Sequence, residues 1–114
     1  MKMTMTNEEM GGYIETLSKL KERGKLGYAI ARNLRLLRTN ATEYLTEKAR
    51  GFKEYGKQQG SIIRVAPDDY MREMGDIPSI SHEVEVYQVD EETFTSGSLD
   101  SVQMESLLWM VQEG

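Results

Sequence analysis

Residues 25–55, KLGYAIARNLRLLRTNATEYLTEKARGFKEY, decide how this chain is read. Leu26, Ile30, Leu34, Leu37, Ala41, Leu45, Ala49, Phe52 and Tyr55 step by threes and fours with no proline between them. That spacing is one apolar helical stripe. At 1.5 Å rise per residue the helix would extend about 46 Å. A compact chain of 114 residues has a diameter of only about 35 Å. The periodicity therefore predicts a helix that overhangs its own globule, unless it bends at Thr39-Asn40 or Gly51. The favoured reading covers the overhang with a second copy and so predicts a homo-oligomer.

Upstream, Thr6-Asn7-Glu8-Glu9 reads as a capping box, a Thr hydroxyl for the amide three residues on and a Glu there reaching back. Met10, Tyr13, Ile14, Leu17 and Leu20 give the helix that follows its apolar stripe, with Gly24 expected as a left-handed stop. Downstream, Lys57-Gln58-Gln59-Gly60 reads as a polar loop, residues 61–65 as a short edge strand, and Pro67 as the start of a short helix carrying Tyr70, Met71 and Met74. Gly75 to Ser81 reads as an irregular connector. His82 to Val89 alternates, Val84 and Val86 to one side and Glu83, Glu85 and Tyr87 to the other, and is the clearest strand. A turn around Phe94 leads to a final helix capped by Asp100, with Gln103 at its third position. The expected class is α+β: an amino-terminal helical hairpin (6–56) with one long helix, then an acidic part (57–114) with a small antiparallel sheet and a carboxy-terminal helix, in one domain.

The net charge of −5 conceals two opposed parts. Residues 1–65 hold 13 of the 14 Lys+Arg, and residues 66–114 hold 12 of the 19 Asp+Glu. Such a division governs partners more than fold. With no cysteine, disulfides, thiolate metal sites and thiol nucleophiles are excluded. No run of 18 apolar residues occurs, so no membrane span is expected. The expectation is a cytoplasmic protein.

No residue pattern carries catalysis. The lone His82 has no nucleophile context, and Asp90-Glu91-Glu92 and Asp68-Asp69 lack calcium-loop spacing. No glycine-rich phosphate loop occurs, so neither a cofactor nor a metal is expected. The candidate site is the cationic front of the long helix. Arg32, Arg35 and Arg38 recur every third residue, with Lys25, Asn33, Asn40 and Tyr28 near them. Residues 19–38 hold seven cations and one acid, Glu22. Guanidinium forks bind phosphates bidentately, so the stripe can be a pocket for an anionic nucleotide. It can equally be a solvated face that pairs with the acidic half. Duplex DNA is not expected as a partner of a net acidic chain without helix-turn-helix spacing.

The acidic half has two readings as well, a solvated surface or a phosphate mimic in which Glu83, Glu85, Asp90, Glu91 and Glu92 occupy a basic groove on a partner protein. Met104, Trp109 and Met110 form the apolar set of the last helix, for core packing or for an interface.

The order of Thr6-Asn7-Glu8-Glu9, Ala29-Ile30-Ala31-Arg32-Asn33-Leu34, Glu54-Tyr55-Gly56, Glu83-Val84-Glu85-Val86 and the terminal Met104-to-Met110 helix resembles small proteins encoded by phages and prophages of Gram-positive bacteria. The resemblance implies a non-enzymatic protein of the host cytoplasm that antagonises host defence by stoichiometric binding. Its target would be an anionic nucleotide signal or a nucleic-acid-binding host protein. The alternative is a virion structural or assembly factor such as a tail-assembly chaperone.

Overall fold

The computed structural model describes the backbone of residues 1–59, 62–65 and 67–112, and the side chains of all of these except 54–70. The chain begins with a strand, β1 (Lys2–Thr6), that runs antiparallel to β4 (Ser81–Glu85), with Met3 opposite Val84 and Met5 opposite His82. Thr6 ends β1 and caps α1 (Asn7–Ser18): its hydroxyl accepts from the Glu9 N–H at 3.1 Å, and the Glu9 carboxylate accepts from the Thr6 N–H at 2.9 Å. The capping box is present in full. Asn7 then ties α1 to the stretch before β4, its N–H donating to the Ile80 carbonyl and its Nδ2 to the Ile77 carbonyl.

Two expectations about the first half are corrected. The first helix ends at Ser18, not at Gly24, with Lys19 as its C-cap. Gly24 does have the left-handed φ of +65°, but it opens α2 (Gly24–Asn40). The long helix is not continuous either. It breaks at Ala41, whose φ and ψ are −100° and 12°, and resumes as α3 (Thr42–Tyr55). Side chains take up the carbonyls around the break. Asn40 Nδ2 donates to Leu36, and the Thr42 hydroxyl lies within bonding distance of the carbonyls of Arg38 and Thr39. Polar side chains that bond the backbone locally are what weakens a helix at such a point. At 1.5 Å per residue the two pieces are about 25 and 21 Å long, so neither overhangs a small globule.

β2 (Gly56–Gln59) and β3 (Ile62–Val65) pair antiparallel, so residues 57–59 are strand where a loop was expected. With α4 (Pro67–Met74) they pack on α3. A 3-10 turn at Ile77–Ser79 leads into β4. The expected strand over 82–89 stops at Glu85; Val89 instead makes a parallel bridge to Val111. Asp90 caps α5 (Glu91–Thr95). Asp100 and Gln103 form the second complete capping box at α6 (Ser101–Ser106), followed by a 3-10 turn at Leu108–Met110.

These elements enclose one core, in which Met5, Met10, Leu17, Leu37, Leu107 and Met110 are almost wholly buried beside Val84, Val86 and Phe94. Burying a side chain of this size contributes about 1.5–3 kcal/mol. The class is α+β, with amino-terminal helices, small antiparallel sheets and a short carboxy-terminal helix. Among the described residues, no helix is long and apolar enough to cross a membrane.

Candidate ligand-binding site

α2 buries one side and exposes the other. At about 100° per residue, Leu26, Ala29, Ile30, Asn33 and Leu37 share the inward face, and all five are buried. Lys25, Tyr28, Arg32 and Arg35 share the outward face, and all four are exposed. Asn33 was placed with the arginines as a ligand-binding residue. The structure puts it on the opposite side with no measurable exposure. Its amide is spent on the backbone of Tyr87: Nδ2 donates to the Tyr87 carbonyl and Oδ1 accepts from the Tyr87 N–H, both at 2.8 Å.

That clamp positions the site. The segment after β4 is held on one side by Asn33. On the other, Gln88 Nε2 donates to the Trp109 carbonyl at 2.9 Å, and Val89 exchanges backbone bonds of 2.8 Å with Met110 and Gln112. The Tyr87 ring is thereby laid against the outward face of α2. It meets Tyr28 edge-on, ring centres 5.4 Å apart at 76°. The Arg32 guanidinium lies 4.7 Å from the Tyr87 ring centre and donates to the Tyr28 hydroxyl at 3.2 Å. A cation over an aromatic face is stabilised by about 0.5–1 kcal/mol when exposed. Arg32 is therefore oriented although it is open to solvent.

Two clefts of about 460 Å³ each flank Tyr28. One lies among Tyr28, Ala31, Arg32 and Arg35. The other lies between Lys25, Tyr28, Tyr87 and Gln88 on one side and Asp90 and Thr93 on the other. Asp90 Oδ1 accepts from the Thr93 N–H at 2.7 Å. Bonding to Thr93 holds the Asp90 carboxyl below the usual carboxylate range, and the Lys25 charge adds to the lowering. A third hollow, at the start of α2 beside Lys21, Arg23, Ser96 and Gly97, adjoins the Asp90 cleft through Gly24, Lys25 and Thr93. Arg38 is exposed and lines neither cleft beside Tyr28.

Among the described residues, the ion pairs of the acidic half lie away from this face. Lys19 pairs with Glu15 on its own helix, and Glu22 accepts from the N–H and hydroxyl of Ser98. Among the described residues no ion pair reaches Lys21, Arg23, Lys25, Arg32, Arg35 or Arg38. The pairing between the halves lies elsewhere. The terminal amine of Met1 meets Glu85 at 3.2 Å, Lys2 meets Glu83 at 3.8 Å, and Arg50 meets Glu73 at 2.7 Å. Two of the five carboxylates assigned to a partner surface, Glu83 and Glu85, thus already face cations of their own chain. Glu91 and Glu92 are exposed in the first turn of α5.

Trp109, the remaining interface candidate, is half-buried against the core and packs on Tyr13, ring centres 5.3 Å apart and tilted by 55°. His82 is half-buried, with Nε2 2.8 Å from Asn7 Oδ1. No group of three His, Asp or Glu that could hold a metal ion occurs among the described residues.

Tyr87 is what the sequence reading missed at this site. It was assigned to the solvent side of a strand, and nothing in its neighbourhood signals a partner fifty-four residues earlier on α2. The Tyr28–Arg32 contact was legible as an i, i+4 pair on one helix face. Comparison with protein-family models, curated proteins and solved structures gives no match, so the reading of the site rests on its geometry.

Proposed function

We propose that this protein acts by stoichiometric binding and that its ligand is a small phosphate-bearing anion held on the outward face of α2. The observation that carries the reading is the state of that face. Arg32 is fixed in place by Tyr28 and Tyr87, Arg35 opens into the same cleft, and no carboxylate among the described residues pairs with either. A solvated helix face needs none of this ordering, whereas a guanidinium held in advance loses less freedom when it binds a phosphate. The phosphate-mimic reading has weaker support, because Glu83 and Glu85 are partly occupied within the chain.

The resemblance to phage proteins sets this capture in a host cell, where sequestering a nucleotide signal would antagonise a defence response. Ligand-induced stabilisation tests it. A ligand that binds the folded chain raises the melting temperature by mass action, so a nucleoside triphosphate should raise it for the wild type and not for Arg32→Ala or Arg35→Ala. Equal stabilisation of all three would sink the assignment. Co-purification with virion proteins and no response to any nucleotide would favour the assembly-factor alternative.

A further inference from the structure

The two clefts beside Tyr28 differ in charge, one doubly cationic and the other holding one cation and one carboxylate. One is bounded by Arg32 and Arg35, the other by the Asp90 carboxylate with Lys25 near it. Resting on the anion-capture reading above, we infer that the ligand is a nucleotide with an amino-bearing base, the base stacked on Tyr28 in the Asp90 cleft and the phosphates in the arginine cleft. Polarity follows from charge. In the Asp90 cleft the Lys25 charge is already matched by the carboxylate, while beside Arg32 and Arg35 a phosphate meets two guanidinium groups that no carboxylate among the described residues pairs with. The ring available for stacking is Tyr28. It is 57% exposed and borders both clefts, whereas the Tyr87 face is occupied by the Arg32 guanidinium. Bases stack on aromatic side chains irrespective of sequence, so stacking alone selects no base.

Asp90 supplies the selection. An ionised carboxylate only accepts hydrogen bonds, and Oδ1 already serves the Thr93 N–H. The Thr93 side chain also bonds the carboxylate, and of its roughly four acceptor sites the remaining ones can accept from an exocyclic amino group. Adenine, guanine and cytosine each carry one; uracil carries none, and its single edge donor, N3–H, lies between two carbonyls that an acceptor repels.

Calorimetric titration of the full chain with ATP, GTP, CTP, UTP and inorganic tripolyphosphate tests this. At least one amino-bearing nucleotide should bind about tenfold or more tightly than tripolyphosphate, and more tightly than UTP. Tyr28→Ala should remove the advantage over tripolyphosphate and, because the Tyr28 hydroxyl also holds Arg32, weaken tripolyphosphate itself, whereas Tyr28→Phe, which keeps the ring, should keep the advantage. Asp90→Asn, which keeps a capping oxygen for Thr93 and adds a donor, should narrow the gap to UTP. If all nucleotides and tripolyphosphate bind alike, or if Tyr28→Ala changes nothing, the base assignment is overturned while anion capture stands. If tripolyphosphate and the nucleotides all fail to bind, the anion-capture reading falls and this inference with it.

Discussion

The Asn33 amide joins two segments that are far apart in the chain, and it does so with both of its ends. Removing it as Asn33→Ala would leave the N–H and carbonyl of Tyr87 without these partners in a part-buried setting. An unsatisfied buried polar group costs about 1–3 kcal/mol, so the variant should lose about 2–3 kcal/mol in urea unfolding. It should also weaken ligand binding, because Tyr87 would no longer be held against Tyr28 and Arg32. A purely local polar residue would show neither effect. The position was readable in part: Asn33 falls in step with Leu26, Ile30 and Leu37, on the apolar stripe rather than with the arginines. The identity of its partner was not, because helical periodicity shows which face is inward and nothing of what covers it.

Gly27 makes a second point at this scale. A Cβ there would sit 2.5 Å from the carbonyl oxygen of Glu22 and 2.9 Å from its carbon, both backbone atoms that must move. Replacing Gly with Ala inside a helix is normally worth about 1 kcal/mol in favour of Ala. Here overpacking of about 1–3 kcal/mol opposes it. Gly27→Ala should therefore lower stability, read as a fall in urea midpoint with unchanged slope.

At the scale of elements, the capped helix starts were legible, and so were β3 and, in the first half of the strand read over 82–89, β4, while β1 and β2 were not. Thr6 with Glu9 and Asp100 with Gln103 are local signals, complete within four residues, and both form as read. β1 escaped notice because Met3 and Met5, alternating with Lys2, Thr4 and Thr6, make only two inward positions before the helix starts. A strand so short is defined by its partner, and β4 lies some eighty residues away. The break at Ala41 lay next to the weak point expected at Thr39-Asn40, yet the apolar stripe runs on through it, so periodicity alone could not distinguish a bend from a straight helix.

α5 allows a test of capping by pH. Because the folded Asp90 carboxyl is the stronger acid, the unfolded chain binds more protons than the folded one between the two pKa values. The cap's contribution is present above the unfolded value of about 3.9 and is lost as the pH falls through the lower folded value. Asp90→Asn has no such titration. The stability difference between wild type and variant should thus be largest near neutrality and shrink in acid, measured by paired denaturant melts at about pH 7 and pH 3. A difference constant across that range would mean that the carboxylate charge contributes nothing to the cap.

Among the described residues the charges of the two halves meet away from the outward face of α2. Glu83 and Glu85 of β4 meet Lys2 and the Met1 amine, and Glu73 of α4 meets Arg50 of α3. Composition showed the excess of charge on each half. It could not show this allocation, because β1 and the break at Ala41 determine which cations the acids meet. The same break divides the helix whose unbroken length argued for a second copy. α2 is covered by α1, β4 and α5 of its own chain. The molecule is still extended, 45 × 32 × 20 Å with a radius of gyration of 16.1 Å, against about 13 Å for a compact chain of this length.

Both clefts beside Tyr28 are lined within one chain, so the site needs no partner subunit to be complete. One ligand should bind per chain, with an affinity that does not change with protein concentration. The affinity should fall between about 50 and 300 mM salt, because exposed charges are screened over such a range. Titrations at two protein concentrations, run beside light scattering, measure both. Affinity that strengthens as copies associate would instead place part of the site on the neighbouring chain. It would also restore the oligomer as the functional unit.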